Sequence, residues 1–599
     1  GQYIPIATPS APPPGVPVDG DYYEIALVEY REQMHSDLPP LAGTSKTDPL
    51  ATGGTKLRGY VQEVNGVPVG EPHYLGPLII ATKDRPVRIK FTNRLPVGSA
   101  GDLFLPVDTT VMGAGPFTIG DLANPGSLIS GNFTQNRATL HLHGGNTPWV
   151  SDGTTHQWIT PAGEITPYPV GLSQQNVPDM PLPSGGSATF YWTNQQSGRL
   201  MFYHDHAYGM TGPNVYGGEA AGYLLVDPAE RALTDGTTTG IAAMTEIPLV
   251  IQDKTFVPNA AQLATTDPLW DNVLWGGEGN LWYPHVYMPN QDPWASNLSG
   301  AAPFGRWDYG PWFWPGFPAP DPVPALSHVP EAYMDTPVVN GTAYPYIDVQ
   351  PQSYRFRILN ASNDRFWDLQ LYVADNAVVT ADSRANTEVR MVPFDASYIP
   401  GFPVSYGKLD ARDGGVPDPS FRGPAMIQIG TEGGLLPAPT VVNNQPINYD
   451  YDRRSVTVLN VLEHSLFLGP AERADVIIDF SKFAGKTLIL YNDSPAPVPA
   501  LDPRIDYYTG DPDLTASGGA PSTVAGFGPN TRTIMQIRVA AGADSSAPMD
   551  FFDNNVLTAL QSALPTAYAA TQDRPIVGES AYNAAFGASF TNQYARIFT

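Results

Sequence analysis

Two pairs of histidines carry the chemistry that this sequence offers. Each has the form His-x-His: His141 with His143 in "TLHLHG", and His204 with His206 in "FYHDHA". Side chains two residues apart point to the same face of a β-strand, so each pair presents two imidazoles together. Imidazole binds copper, zinc, iron and nickel, and the chain has no cysteine to add a thiolate. The pairs therefore predict a metal site, with copper or zinc as the first expectation.

The segments that must position these histidines have the pattern of β-strands. The stretches "RPVRIKFTNRL" (Arg85–Leu95), "SYRFRILNAS" (Ser353–Ser362) and "KTLILYN" (Lys486–Asn492) alternate or are rich in β-formers, between Pro, Gly, Asn or Asp residues. Long patterns with the helical period of 3.6 residues are scarce. The sequence therefore predicts an all-β protein built from antiparallel sandwiches.

Size and charge exclude several classes of function. A chain of 599 residues is too long for one hydrophobic core and needs several domains. Its formal net charge of −26 leaves no basic surface for nucleic acid and disfavours binding to anionic membranes. No apolar run of about 18 residues occurs, so no transmembrane segment is expected. The absence of cysteine excludes disulfides, iron–sulfur clusters and cysteine nucleophiles.

Two linker-like stretches divide the chain, Asp227–Gly240 and Pro495–Asn530. They predict domains at 1–235, 236–510 and 511–599, with both histidine pairs in the first. The middle domain carries an insertion at about 256–334 that holds seven of the eleven tryptophans. An aromatic lid or a subunit interface would explain it. A long loop with its own small aromatic core is the simpler interpretation, because long insertions must bury something.

The motifs around the histidines resemble a known family. The stretches "HLHGGNTPWVSDG" and "YHDHAYGMTGPNVYGGEAAGYLLVD" resemble the first two copper motifs of bacterial multicopper oxidases, in the branch of spore-coat laccases and bilirubin oxidases. The later stretches "VVNGTAYPYIDVQPQSYRFRILNASN" and "LGPAERADVIIDFSKFAGKTLIL" follow that branch in order. The resemblance covers Asp21 to about Val539. It implies consecutive cupredoxin-like Greek-key β-sandwich domains, of which the third is incomplete in this chain.

The resemblance also implies a role for each matched residue. His141 corresponds to a ligand of the type 2 copper, and His143, His204 and His206 correspond to ligands of the type 3 pair. Asp152 matches an acid thought to assist proton delivery during the reduction of dioxygen. A simple Asx-turn in "SDG" is the competing interpretation of Asp152.

Two further features of the sequence bear on these roles. "TGPNVY" (Thr211–Tyr216) stands where relatives usually have an arginine-containing "TRLNVY". The isolated histidines, His285 among them, are expected to be ordinary loop or surface residues.

The remaining copper ligands of the family come from third-domain motifs that this chain does not contain. The chain has no cysteine for a type 1 site, and its last histidine is His464. The resemblance then implies half of a trinuclear copper site and no type 1 site. Three explanations stay open: a second polypeptide or C-terminal fragment supplies the rest, the protein has lost its redox chemistry, or the sequence is truncated.

Three functions follow from these explanations. The first is a laccase-like oxidase subunit that couples one-electron oxidation of a small reducing substrate to reduction of dioxygen to water, in a secreted, periplasmic or cell-surface location. The second is a structural or assembly protein that forms a homo-oligomer through its insertion and its incomplete third domain. The third is a module that binds one copper or zinc ion without turnover.

Overall fold

Two β-sandwiches follow one another along the chain in the computed structural model of the protein. The structure describes residues 4–121, 123–171, 180–285, 326, 333–395, 415–448, 461–494, 506–514, 520–542 and 550–572. Strands dominate these residues, which confirms the all-β prediction. None of the helices among them is both long enough and apolar enough to cross a membrane.

The first sandwich consists of two sheets and a hairpin. Its elements are β1 (Asp21–Glu32), β2 (Thr55–Val64), β3 (Val67–Pro68), β4 (Leu75–Thr82), β5 (Val87–Asn93), β6 (Pro116–Gly120), β7 (Leu128–Asn132), β8 (His141–His143), β9 (Ser187–Trp192), β10 (Arg199–His204), α1 (Thr211–Tyr216), β11 (Ala220–Val226) and α2 (Pro228–Arg231). The strand orders are β3-β2-β1-β5-β9 and β4-β11-β10-β8, and β6 pairs with β7. The histidine strand β8 is therefore the last strand of the second sheet.

The second sandwich is larger. Its elements are β12 (Thr245–Lys254), α3 (Ala260–Thr266), β13 (Thr336–Val339), β14 (Thr342–Ala343), β15 (Tyr346–Val349), β16 (Ser353–Asn360), β17 (Trp367–Val373), β18 (Met391–Val392), β19 (Val416–Pro417), β20 (Met426–Thr431), β21 (Gly434–Val442), β22 (Leu466–Leu468), β23 (Arg473–Asp479), β24 (Thr487–Asn492), β25 (Thr533–Val539) and α4 (Asn554–Thr571). The strand orders are β14-β13-β12-β16-β23-β20-β21 and β15-β25-β24-β17-β22, and β18 pairs with β19. The predicted strands around Arg88, Phe356 and Leu490 are all present.

Each of the four large sheets contains one parallel pair, which differs from the antiparallel sandwiches predicted from the sequence. In the first sandwich β1 runs parallel to β5, and β4 runs parallel to β11. In the second, β12 runs parallel to β16, and β15 runs parallel to β25. The strand pattern of a sequence gives its period and not its partner, so it could not reveal these pairings.

Strand β25 belongs to the second sandwich and not to a separate domain at 511–599. The sequence places Thr533–Val539 within 511–599, outside the second domain, whereas the structure inserts it between β15 and β24 of the second sandwich. It holds the position there that β11 holds in the first sandwich. Beyond it, the described residues form helix α4 and no strand of a third sheet. The alternation of "TIMQIRV" is the same whichever sheet it joins, so the sequence could not decide this.

Apolar side chains fill the space between the paired sheets. Tyr23, Phe91 and Trp192 belong to the core of the first sandwich, and Phe356 and Trp367 to that of the second. A third cluster joins the two sandwiches and includes Tyr74, Tyr216, Trp282 and Met334. Helix α4 buries Leu560 and Leu564 against Ile429 and Leu435 of the larger sheet. Burying each such side chain stabilises the fold by about 1.5–3 kcal/mol.

The linker between the sandwiches is anchored by buried charges. Glu230 of α2 accepts hydrogen bonds from Arg355 and, at 2.8 Å, from Arg357. Arg355 also donates through Nε to Asp475 at 2.8 Å, and Glu246 lies 3.3 Å from both arginines. These ion pairs fasten the expected linker onto β16 and β23, so the two sandwiches are not separated by a loose tether.

The tryptophan-rich insertion is described only in part. Trp270 and Trp275 pack edge to face with ring centroids 5.0 Å apart, and the indole of Trp282 donates to Asp267 at 2.7 Å. These residues belong to the cluster that joins the two sandwiches. Most of the insertion, residues 286–325 and 327–332, lies outside the described part of the chain.

Candidate metal centre

Two neighbouring strands bring the histidine pairs together. Strands β8 and β10 run antiparallel, with His204 opposite His141 and Phe202 opposite His143. Directly opposed residues share one face of a sheet, so His141, His143 and His204 all project from the same side. His206 follows two residues after the end of β10. The pairing register thus accounts for the convergence that the sequence predicted.

The four rings form a compact group. Ring centroids lie 5.3 Å apart for His141 and His204, 5.3 Å for His143 and His204, and 4.9 Å for His141 and His206. Ring nitrogens of His141, His143 and His204 all lie within 4.8 Å of one another. Such a spacing suits nitrogens that share a metal centre.

Backbone carbonyls indicate which ring nitrogen of His141 and of His204 is free to bind a metal. Nδ1 of His141 lies 2.5 Å from the carbonyl oxygen of Asp152, and Nδ1 of His204 lies 2.6 Å from that of Asp205. A carbonyl oxygen only accepts, so each Nδ1 carries the proton and each Nε2 keeps its lone pair. Holding one ring nitrogen in this way is how proteins orient histidine ligands.

The donor set fits a metal ion on two further observations. Nδ1 of His143 lies 3.1 Å from Nε2 of His204. Two nitrogens at that separation can both reach one ion at about 2.0 Å, with an angle of roughly 100° at the metal. Nδ1 of His206 is buried and has no hydrogen-bond partner, which is unusual for a buried polar atom. A metal ion would satisfy it.

Burial keeps these imidazoles neutral. Desolvation lowers the pKa of His204 to about 3, although its hydrogen bond to Asp205 acts in the opposite direction. Burial, reinforced by the charges of Arg473 and the neighbouring histidines, lowers the pKa of His143 to about 4. The pKa of His206 is lowered as well, mainly by burial. Neutral imidazole is the form that binds metal, so these rings are ready for it near neutral pH.

Asp205 lies between His204 and His206 and helps to hold them in place. Its carboxylate accepts hydrogen bonds from the backbone N–H of Thr139 at 2.9 Å, the N–H of Ala207 at 3.1 Å and the side-chain amide of Asn214 at 2.9 Å. Burial raises the pKa of Asp205, and these hydrogen bonds oppose the rise. Asn214 comes from "TGPNVY", so the stretch that departs from the family still supports the cluster.

Asp152 lies beside the cluster. Its carboxylate is 3.6 Å from Nδ1 of His141, and its side chain is 36% exposed. The hydroxyl of Thr147 donates to it at 2.7 Å. The acid expected near the metal therefore contacts both a ligand and solvent, and it is less buried than the sequence argument assumed.

Two neighbours of the cluster were missed by sequence reasoning. The ring of Phe202 stacks on that of His143, with centroids 4.5 Å apart and planes 17° apart. Arg473, a buried residue of β23 in the second sandwich, lies close enough to His143 to depress its pKa. Phe202 could have been found from its alternation with His204, because both face the same way on β10. Nothing in the sequence places Arg473 here.

Of the isolated histidines, His285 lies in a loop, as expected, but it is buried. Only 4% of His285 is exposed, and its Nε2 lies 2.8 Å from Asp267. His156 agrees with the expectation: it is exposed and stacks on Tyr208 with centroids 4.9 Å apart. His328 lies outside the described residues.

Comparison with known proteins gives relatives in one group. No family model matches the chain. The laccase of Bacillus subtilis is 28% identical over 472 residues, which cover 79% of this chain and 57% of that laccase. The laccase of Haloferax volcanii is 26% identical over 509 residues, or 85% of this chain and 58% of its own length. A solved structure, the McoA multicopper oxidase of Aquifex aeolicus, matches 89% of this chain and 65% of its own at 18% identity, with a TM-score of 0.41. The chain thus spans little more than half the length of these laccases.

Proposed function

Because the chain is related to the multicopper oxidases, we propose that it supplies one wall of a copper cluster at which dioxygen is reduced to water. A small reducing substrate would provide the electrons one at a time. The observation that carries the proposal is the convergence of His141, His143 and His204, whose ring nitrogens lie within 4.8 Å of one another. His206 adds a fourth ring, 4.9 Å from that of His141.

In this proposal His141 holds the type 2 copper, and His143, His204 and His206 hold the type 3 pair. Copper supplies the electron transfer and oxygen binding that amino-acid side chains lack. The chain's own residues orient the ligands. The carbonyls of Asp152 and Asp205 fix the rings of His141 and His204.

Asp152 is proposed to deliver protons to the cluster. Reduction of dioxygen to water consumes protons as well as electrons, so a carboxylate between solvent and a ligand is well placed. Asp152 meets this requirement because it is 36% exposed and 3.6 Å from His141. The hydroxyl of Thr147 holds its carboxylate in position.

The remaining ligands are proposed to come from outside this chain, on a second polypeptide or a C-terminal segment. A chain without cysteine cannot build the thiolate-bound type 1 site. The cluster is also open on one side: β8 pairs only with β10 among the described strands, and the side chain of His141 is 20% exposed. Resemblance to exported oxidases adds an extracytoplasmic location to the proposal.

Copper content tests the site. The chain should bind copper when it is loaded under anaerobic conditions with Cu(I), and H204A/H206A should lose most of it, as measured by elemental analysis after gel filtration. His156→Ala is the matched control, because this exposed histidine lies near the cluster without joining it. Equal copper in H204A/H206A and the unaltered chain would overturn the metal site.

The oxidase assignment has a separate test. Native material should contain a cysteine-bearing polypeptide or segment together with this chain, show the intense blue absorption of a copper thiolate, and consume oxygen with a phenolic reductant. Native protein with copper on the histidines but neither the thiolate absorption nor oxygen consumption would contradict it.

A metal-binding module is the second candidate. Three histidine nitrogens within 4.8 Å are enough to hold a single ion without any partner chain. This candidate expects one ion per chain in native material and no oxidase activity. The stoichiometry therefore separates it from the oxidase, which needs several coppers per assembled site.

Formation of a homo-oligomer is the third candidate function. Val273 and Leu274 in the tryptophan-rich insertion are 92% and 65% exposed, and apolar side chains presented to solvent favour contacts with another chain. A homo-oligomer built on this patch would show a dimeric or larger mass that V273D reduces to the monomer. A monomeric mass for the unaltered chain at all concentrations would exclude it.

A further inference from the structure

A second site lies between the two sandwiches. A cavity of about 400 Å³ is bounded on one side by residues that follow β1, such as His35, and on the other by the second sandwich. It shares no lining residue with the histidine cluster. Its volume falls within the range of small-molecule sites, roughly 300–1,000 Å³.

An arginine without a carboxylate partner borders this cavity. The guanidinium of Arg538 lies 3.7 Å from the centroid of the Tyr346 ring and donates two hydrogen bonds to Oε1 of Gln536, at 3.0 and 2.8 Å. No carboxylate of the described residues lies within 4.0 Å of it. The free edge of the guanidinium is a ready site for an anion.

Aromatic rings line the same cavity. Tyr344, Tyr346 and Phe527 all contribute to its wall. Phe527 is also covered by the guanidinium of Arg384, 4.6 Å from its centroid. Arg384 differs from Arg538 because it is paired with Asp382 at 2.8 Å. The wall thus combines flat apolar surfaces with the guanidinium of Arg538, which has no ion pair within 4.0 Å among the described residues, although Asp348 lies opposite it on β15.

Two further polar groups have hydrogen-bonding capacity left over. Oγ1 of Thr387, a lining residue, is buried and has no partner. Nδ1 of His35 accepts the backbone N–H of Asp37 at 3.1 Å, so the proton of the neutral ring is on Nε2. Burial lowers the pKa of His35, which favours that neutral form. The hydroxyl oxygen of Thr387 is closed off from the cavity, so a ligand there would not reach it.

The cavity also contains acids, and their placement limits their effect. Glu388 accepts the backbone N–H of Gly526 at 2.6 Å, and burial raises its pKa. Asp37 is exposed, with its side chain 68% accessible, so water screens it. Neither acid is paired with Arg538.

We propose that this cavity binds a monocyclic aromatic carboxylate of the size of a hydroxybenzoate. Its carboxylate pairs with Arg538, and its ring packs among Tyr344, Tyr346 and Phe527. A planar carboxylate matches the fork of a guanidinium, and aromatic stacking supplies the rest of the selectivity. The site does not depend on copper or on the proposed oxidase activity.

Calorimetry on the whole chain tests the ligand class. We expect 4-hydroxybenzoate to bind saturably with one molecule per chain. Acetate and inorganic phosphate lack the ring, and 4-hydroxybenzamide lacks the charge, so each should bind at least about tenfold more weakly. Absence of saturable binding, or equal binding of the amide, would overturn the proposal. Preference for acetate or phosphate would show a plain anion site instead.

Variants locate the site. Arg538→Gln should weaken binding of 4-hydroxybenzoate about tenfold or more, whereas Thr387→Val should leave it close to unchanged because that hydroxyl is closed off from the cavity. Arg85→Gln is the matched control: Arg85 is an exposed arginine of the first sandwich, paired with Asp21 at 2.7 Å. Thermal unfolding midpoints and copper content should be unchanged in all three. Unchanged affinity in a folded R538Q would contradict the proposal while leaving the copper site untouched.

Discussion

Arg473 of the second sandwich lies against Gly144, the residue directly after His143. A Cβ at Gly144 would be only 2.8 Å from a terminal nitrogen of Arg473, and Gly144 adopts a φ of +81°. The positive φ favours glycine there, and the small residue lets the guanidinium of Arg473 approach the backbone closely. The contact brings a positive charge from one sandwich to the edge of the ligand set supplied by the other.

Removing that charge should strengthen copper binding. In R473Q we expect a several-fold higher affinity, because a cation no longer opposes the incoming ion. Competition against a chelator of known affinity at pH 7 measures the change. R473K is the matched control, since it keeps the charge and should stay close to the unaltered chain. An affinity in R473Q equal to or below that of R473K would contradict this account.

The metal-free protein should lose stability in acid through its buried histidines. Folding lowers the pKa of His204 from 6.5 to about 3 and that of His143 to about 4. Between these values and 6.5 the unfolded chain binds more protons, so this contribution falls as the pH drops from about 6.5 towards 4. His204→Gln should flatten the decline of the thermal unfolding midpoint over that range by several degrees.

The exposed residue His464 provides the control for the acid experiment. His464→Gln is made alongside His204→Gln, because this exposed histidine lies outside the histidine cluster. Identical slopes in H204Q and H464Q, measured in the presence of a chelator, would show that acid destabilisation has another origin.

Phe202 should matter for copper as well as for stability. Its ring stacks on His143 and lies 5.1 Å from the ring of His204, so it fixes two ligands. F202L should lower the free energy of unfolding by about 1–2 kcal/mol and weaken copper binding several-fold. F190L is the matched control, because Phe190 is another buried phenylalanine of the first sandwich and no histidine ring of the described residues contacts it. Equal copper affinities in the two variants would refute the positioning role.

The buried charges at the linker should be essential for stability. In R355L, Glu230 and Asp475 lose their principal partner, and we expect a loss of about 3–5 kcal/mol in the free energy of unfolding by urea. Arg231, an exposed neighbour of Glu230 on α2, supplies the control: R231L should change stability by no more than about 0.5 kcal/mol. A loss as small as that in R355L would mean that the network contributes little.

The sequence predicts the strands better than their partners. Alternating apolar residues identify β5, β16 and β24, because burial on a pleated sheet imposes a period of two. The same alternation says nothing about which strands are parallel or which sheet receives β25. Helix α4 was also not foreseen. Its buried residues are complementary to the outer face of the larger sheet, a surface that exists only after the second sandwich has folded.

For the metal site too, the sequence predicts the local features but not the long-range contacts. The two His-x-His pairs could be recognised because their chemistry is local, and the structure brings all four rings together. Resemblance to the family identified Asp152, but the sequence did not predict how exposed its side chain is. Arg473 reaches the cluster from 269 residues beyond His204 in the sequence. Contacts across such separations depend on the packing of whole sheets, which no short motif encodes.

Strand β10 lies between β11 and β8, whereas β8 pairs with β10 alone among the described strands. Pairing on both sides holds His204 within the sheet, whereas His141 and His143 lie on the edge strand, where the carbonyl of Asp152 and the ring of Phe202 hold them instead. The geometry of the ligand group therefore depends partly on the sheet and partly on contacts outside it.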